Sequence, residues 1–391
     1  MSTPVQRRFR AHRVAVALIA LLAALPLVVG IVGWLSGWPL GMDSVVYRAG
    51  ANTLLDGDPL YDTPTLPAYQ PDWALLPFTY PPAAALLFVP LAPLAIPVAW
   101  GALGALSVLC LALVVWLTLR AVGMRFFTNA ATATVVLTAP AIVLEPVWRT
   151  ISLGQINLVL MALVMVDVLV IGARGSRWGG VLIGVASAVK LTPLIFVAHL
   201  VFIGRWRDAV RSVLTFVGLQ AVLLLISPHD VIRYFTHAVN DPKRIGTIHW
   251  SDNQALNGLV LRLTDGASWS LLAALAVGLV LAPPAVLLMR RFQLRGEPLP
   301  ALLVTAFYGL LISPVSWTHH WVWAVPLLIV LLVRARWWVT AALTVVFASY
   351  LLLWLPGGRD PDLGWSIVDH VLGNLYLYVP LVLGGVLLRR R

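Results

Sequence analysis

The chain has 391 residues, 60% of them hydrophobic and only 11% charged, with 17 tryptophans and a formal net charge of +11. Soluble domains carry roughly a quarter charged residues, so this composition excludes an ordinary soluble enzyme and points to a multi-span membrane protein. The basic residues sit in short clusters between apolar runs, an orientation signal that excludes a nucleic-acid-binding stripe, and the lone Cys110 excludes an intrachain disulfide or a cysteine zinc cluster.

The N-terminal RRFRAHR precedes an apolar run at 14–35. That run is too long for a signal-peptide core and has no small-residue cleavage site after it, so it is expected to be a permanent anchor with its basic end in the cytoplasm. Residues 36–97 form a first outer loop with interfacial helices. In its GWPLGMDSVVYRAG an aspartate, Asp43, stands where the chain leaves the membrane. Asp43 or Ser44 is expected to cap a short helix that ends near DGDP, with Val46, Ala49, Thr53 and Leu54 on a face lying on the membrane. Pro81, Pro82, Pro90, Pro93 and Pro97 forbid a regular helix over 81–97. That run is read as re-entrant or interfacial, its backbone buried in protein.

Further spans are expected at 98–119, 129–147, 156–173, 208–227, 268–288, 300–315, 319–333, 337–355 and 368–388. Two half-length apolar runs, 179–189 and 191–203, flank Lys190 and read as a hairpin dipping in from the cytoplasm. A second long outer segment covers 228–267. The whole is a single all-α polytopic domain, 1–391, with ten full spans plus broken helices and both termini cytoplasmic. In that orientation most acids and histidines fall outside, so the titratable chemistry is expected on the extracytoplasmic face of the plasma membrane.

Several constellations have the right address for chemistry. Asp43 reads either as a helix cap or as a general base, because partial desolvation at an interface raises a carboxylate's proton affinity toward a working range. Asp56-Gly-Asp58 and Asp360-Pro-Asp362 match a D-x-D metal motif, but their Gly and Pro make turns the simpler reading. LISPVSWTHHWVW, residues 311–323, sets Trp317, His319 and His320 at an outer mouth. Interfacial tryptophans are ordinary there; adjacent histidines are less so, and one is expected to enter a site for an anion or a proton while the other packs. No second ligand stands at i+3 or i+4, so zinc is not expected.

WRTISLGQINLVL offers Arg149, Gln155 and Asn157, whose amides suit sugar hydroxyls or else helix–helix hydrogen bonds. Lys190 is either a site residue or a side chain that snorkels to the cytoplasmic interface, with Asp167 as its available partner. NQALNGLVLRL adds Asn253, Gln254, Asn257 and Arg262, an outer arginine with either a specific partner or a lipid headgroup. No nucleotide-phosphate loop or Ser-His-Asp arrangement is present, so an activated sugar must arrive in another form.

The ordered set MDSVVYRAGANTLLDGDPLYD, LPFTYPPAAALLFVPLAPL, LGQINLVL, VKLTPLIF, NQALNG and SPVSWTHHWVW, from about residue 41 to 323, resembles the successive signatures of glycosyltransferase family 87. The resemblance implies a GT-C-type membrane fold; with cationic side chains available to stabilise the departing phosphate, no metal or other cofactor is expected. It implies an inverting enzyme that takes mannose from polyprenyl-phosphate mannose and makes α-1,2 links on phosphatidylinositol mannosides or lipomannan. It makes Asp43 the catalytic base and His319 and His320 active-site histidines. On this footing Arg262, Arg149 and Lys190 are candidates for the donor phosphate, and Gln155, Asn157, Asn253, Gln254, Trp317 and Tyr47 for the sugar or acceptor. The segment 81–97 is expected to bound the groove for the polyprenyl tail. The alternatives are an arabinofuranosyltransferase of the same fold, a lipid or sugar transporter, and a noncatalytic scaffold of envelope assembly.

Overall fold

The computed structural model describes residues 4–123, 129–241, 244–355 and 365–389, and among them the regular structure is entirely helical. The first helix, α1 (Pro4–Ser36), is followed by the short α2 (Met42–Asp56) and α3 (Pro82–Leu87) before the long α4 (Ile96–Val122). Glycines let α1 and α4 meet backbone to backbone: a Cβ on Gly101 would overlap the Pro26 carbonyl, and one on Gly30 the Pro97 carbonyl. Lipid supplies no hydrophobic drive between spans, so close contact of this kind holds them together. A side chain at either glycine, as in Gly101→Leu, would force the two helices apart.

Helix α2 forms where expected but starts differently. Its cap is Gly41, at φ 77° and without a side-chain cap bond, and Ser44 Oγ donates back to the Gly41 carbonyl at 2.8 Å. Neither Asp43 nor Ser44 is the cap, because a left-handed entry suits glycine alone. The Asp43 carboxylate is thereby left for other partners. Val46, Ala49, Thr53 and Leu54 are all buried against the protein, chiefly α3 and α4, rather than laid on a membrane. The prolines break 81–97 as the sequence predicts: α3 stops after six residues, a 3-10 turn takes Val89–Leu91, and α4 begins at Ile96.

Where one span is expected over 129–147, α5 (Ala130–Ala141) and α6 (Glu145–Leu153) meet at a 77° bend. Pro140 and Pro146 flank that bend, and each removes a backbone donor. Next, α7 (Asn157–Val166) runs through a π turn toward Arg174. The half-length helices are α8 (Val181–Val189) and α9 (Ile195–Phe202), parted by an extended Lys190.

Asp167 does not partner Lys190. Its carboxylate accepts from the N–H groups of Gly180, Leu182 and Ile183 at 2.7, 2.9 and 3.2 Å, with Arg205 at 4.0 Å. It caps the start of α8, where unpaired backbone donors and the positive end of the helix dipole draw an anion.

The chain continues through α10 (Trp206–Ile226), α11 (Pro228–Thr236), α12 (Leu256–Leu263), α13 (Ser270–Leu294), α14 (Pro298–Ile312), α15 (Ala324–Val333), α16 (Trp337–Ala348), α17 (Ile367–Leu372) and α18 (Leu375–Arg389). Among the described residues five helices are long and apolar enough to cross a membrane: Ala11–Ser36, Ile96–Val122, Asn157–Arg174, Trp206–Ile226 and Ser270–Leu294. Counting the bent pair makes six. Four of the other expected spans are apolar helices of 10–17 residues, at Pro298–Ile312, Thr318–Val333, Trp337–Leu353 and Leu375–Arg389. Each falls short of the ~20 residues of a straight crossing. The chain is thus a polytopic, helical membrane protein, with five or six span candidates by length and composition among the described residues where ten are expected.

Candidate active site

Two left-handed glycines dock the segment 36–97 on the bent pair. Gly41 before α2 and Gly154 (φ 74°) after α6 both press on Ser44 and Trp100, where neither leaves room for a Cβ. Trp100 Nε1 tightens the joint by donating to the Ile151 carbonyl at 2.8 Å. The start of α2 therefore lies beside the residue after Gly154, which brings the Gln155 side chain close enough to Asp43 to lower the carboxylate's proton affinity. Gln155 Oε1 accepts from Tyr47 Oη at 2.9 Å, and Tyr47 Oη is 3.0 Å from Tyr80 Oη. The Tyr47 ring stacks on Phe88 with centroids 4.3 Å apart. With Oε1 taken by a phenol, the amide nitrogen is the group left for the carboxylate.

Lys190 supplies the other wall. Its Nζ lies 3.2 Å from Asn157 Oδ1, 2.9 Å from His320 Nε2, and 5.9 Å from the Tyr80 ring centroid. It does not snorkel toward the cytoplasm, because the break after α8 turns it into this polar cluster. An ammonium group can only donate, so His320 accepts through an unprotonated Nε2 and carries its proton on Nδ1. Asn157 Nδ2 and Thr150 Oγ1 both donate to the His319 carbonyl at 3.0 Å, fixing the backbone of the histidine pair. The two imidazoles meet edge to face at 4.7 Å. His319 is buried with neither ring nitrogen hydrogen-bonded, a costly state that a ligand's polar group would relieve. Arg149 completes the cleft, its Nη2 2.7 Å from Asp252 Oδ2.

Burial and charge divide the labour. Asp43, Lys190, His320 and Arg149 keep partial exposure, whereas Tyr47, Gln155, Asn157 and His319 are buried behind them. Exclusion from water pushes the Asp43 proton affinity above the ordinary carboxylate range, and the Gln155 hydrogen bond, then the Lys190 and Arg149 charges, pull it partway back.

The other expected site residues lie outside this cluster. Arg262 is buried, donates to the carbonyls of His249, Trp250 and Asn253 at 3.3, 2.8 and 3.0 Å and to Asn374 Oδ1, and lies 5.4 Å from the Trp365 ring centroid. Asn253 ties together Ile248 O, Ala255 N and Ser316 N, and its backbone bridges to Trp317. Gln254 binds Ser251 O, Gly373 O and Tyr376 N. These side chains knit the segment 228–267 to the chain's C-terminal part. Arg262→Met should therefore cost about 3 kcal/mol of stability, since it orphans several buried acceptors at once. Thermal unfolding of the purified protein in detergent checks this, and an unchanged midpoint would remove Arg262 from the frame.

Tyr80 and Asp252 belong to the cluster although the sequence reading singles out neither. Their one signal is position, Tyr80 within LPFTYPP and Asp252 beside NQALNG. Asp56 and Asp58 sit exposed in the turn closing α2, while Asp360 and Asp362 lie outside the described residues. Among the described residues no three His, Cys, Asp or Glu side chains are grouped to hold a metal. A cavity of about 330 Å³ continues from Asn157 and His320 between α7, α9 and α14, walled mainly by apolar residues such as Leu160, Met161, Phe196 and Leu310. Its walls come from those helices rather than from 81–97.

The family model of glycosyltransferase family 87 matches residues 78–314. The chain is similar to the polyprenol-phosphate-mannose-dependent alpha-(1-2)-phosphatidylinositol mannoside mannosyltransferase of Mycobacterium tuberculosis, 34% identical over 88% of this chain and 83% of that protein. It is 35% identical to the protein of the same name from Mycolicibacterium smegmatis, over 83% of this chain and 78% of that one. A polyprenol-phosphate-mannose-dependent alpha-(1-2)-phosphatidylinositol pentamannoside mannosyltransferase of Mycobacterium tuberculosis is also 35% identical, over 85% of this chain and 79% of the relative. No solved structure matches the chain.

Proposed function

The chain belongs to glycosyltransferase family 87, and from that premise we propose that it moves mannose from polyprenyl-phosphate mannose to a phosphatidylinositol-mannoside-type lipid, forming an α-1,2 link. The observation that carries the mechanism is the convergence of the Asp43 carboxylate with Lys190, Arg149, His319 and His320 at one cleft, drawn from separate stretches of the chain.

In the proposed reaction the acceptor's hydroxyl oxygen attacks mannose C1 opposite the phosphate. Asp43 takes the hydroxyl proton. The C1–O bond to phosphate breaks, its electron pair staying on the phosphate oxygen, and a β-linked donor becomes an α-glycoside. Phosphate departs without being protonated, so the second carboxylate of an inverting hydrolase is not needed. Lys190 and Arg149 balance the charge that develops on the leaving group. Arg262, engaged by backbone carbonyls, is left to the scaffold. Gln155 and Tyr47 hold the base in line, and His319 and His320 with Asn157 offer polar groups to the sugar. The apolar cavity beside His320 suits the polyprenyl tail.

We place the cleft on the extracytoplasmic face of the plasma membrane, in a single GT-C-type domain of ten crossings with both termini cytoplasmic. In support, α7 and α15 begin beside the cleft and lead to Arg174 and Arg334, the pattern of a cytoplasmic helix end. A periplasmic reporter fused after Arg389 should stay silent and a cytoplasmic one should be active; the reverse overturns this orientation.

The activity test is direct. Purified protein, radiolabelled polyprenyl-phosphate mannose and phosphatidylinositol mannosides should give a lipid product whose new sugar is released by an α-1,2-specific mannosidase. Absence of transfer to any mannosylated acceptor overturns the reading.

The pH dependence has a fixed sign. The base works only when deprotonated, so kcat/KM should fall as pH drops through the Asp43 pKa, at a point above the ordinary value of about 3.9. Gln155→Ala removes the largest of the influences that lower that pKa, so the acid limb should move to higher pH. A limb that stays put or moves down would detach Gln155 from the base.

A further inference from the structure

A second cavity, about 620 Å³, lies between α13, α14, α15 and α18, within the size range of built ligand pockets. Its walls are apolar, with Leu288, Phe292, Leu303 and Val304 among them, and its charge is confined to one end, where Arg334 and Arg336 stand. Space for it comes from α18: a Cβ on Gly385 would meet nothing within 4 Å, and one on Gly384 would meet only Leu288 Cδ1, at 3.9 Å.

The arginine end is the far end of α15 from the catalytic cleft, since His320 precedes that helix and Arg334 follows it. A headgroup held there cannot present a sugar to Asp43, so neither donor nor acceptor explains the cavity. Its lining on α14 runs from Pro300 to Leu311, about 16 Å of helix rise. That is roughly half of a ~30 Å hydrocarbon core, the depth of one leaflet.

The cationic end also sits at interface level. Trp337 and Trp338 beside it are 52% and 89% exposed, as tryptophans at a membrane boundary are. Arg334 already holds one carboxylate oxygen there, Glu297 Oε1 at 2.8 Å, and Arg336 is exposed next to it.

We infer that this groove is a binding site for an anionic glycerophospholipid, its acyl chain along α14 and its phosphate at Arg334 and Arg336. The lipid acts as a wedge that fills the gap among four helices, three of which are too short to cross a bilayer straight.

Native mass spectrometry of the full-length protein in detergent, with added phosphatidylglycerol or phosphatidylcholine, tests this. Phosphatidylglycerol should remain bound after activation that strips phosphatidylcholine. Arg336→Glu, at an exposed position that folding tolerates, should cut phosphatidylglycerol affinity by about thirtyfold, since each cationic contact with an anionic lipid is worth on the order of 1 kcal/mol and reversal counts twice. Gly385→Leu, which grows into open space, should lower it with the arginines intact. Equal retention of the two lipids by wild type, or wild-type occupancy in both variants, overturns the site in favour of ordinary boundary lipid. Loss in Arg336→Glu with none in Gly385→Leu overturns the groove as the acyl-chain site.

Discussion

Asp43→Asn is expected to lower kcat for mannose transfer by about 10³–10⁴-fold, the upper range for removing a positioned general base. The substitution keeps the volume and removes only the ability to accept a proton. It should not disturb α2, because that helix starts at Gly41 with no side-chain cap. The Gln155 side chain can turn to satisfy an amide as readily as a carboxylate, so donor affinity should stay within about threefold of wild type, well under 1 kcal/mol. Steady-state transfer assays with a parallel donor-binding measurement read both quantities. Near-normal turnover in a folded, donor-binding Asp43→Asn protein would remove Asp43 as the base, and His319, whose ring nitrogens have no hydrogen-bond partner, would become the next candidate. Loss of donor binding together with turnover would instead make Asp43 a ground-state contact.

The second large effect is expected at Lys190. Lys190→Met keeps an unbranched side chain of similar reach at a half-buried position and deletes the charge, and kcat should drop by about 10³-fold. That figure is the upper range for losing one preorganised electrostatic contact to a developing anion. Arg149 is held by Asp252 at 2.7 Å and offers only part of its charge in compensation. A further readout separates this role from a structural one. Lys190 lowers the Asp43 pKa, so the acid limb of kcat/KM should shift upward in the variant. A variant within threefold of wild-type kcat would assign the leaving phosphate to Arg149 alone.

Much of this protein is determined by sequence read locally. Its charge-poor composition and 20-residue apolar runs fix a polytopic helical membrane protein, because a bilayer demands long segments whose backbone is satisfied internally. Prolines between 81 and 97 dictate a broken chain wherever they are placed, since each removes a donor and clashes with a helical turn. The hairpin around Lys190 follows from two apolar runs too short to cross. Asp43, Lys190, His319 and His320 were legible as site candidates because polar side chains among apolar neighbours are expensive and need a reason.

What the sequence could not decide is which partner each polar group meets. Asp167 and Lys190 look like a pair within one apolar region, yet Asp167 binds the N–H groups of Gly180, Leu182 and Ile183 while Lys190 turns to Asn157 and His320. Arg262 looks like a phosphate ligand because an arginine bound to four buried oxygens is the same letter as one awaiting an anion. Asp43 looks like a cap until a left-handed Gly41 takes that place. The count of crossings also depends on the bend between α5 and α6 and on short helices such as α14 and α15, whose lengths are set by packing and not by apolar run length. Hydrogen-bond partners separated by 100 residues or more, as in Tyr47 with Gln155 and Lys190 with His320, arise only when the helices pack. Local pattern fixes where a polar group can be tolerated; tertiary structure alone decides whether it builds the frame or faces the substrate.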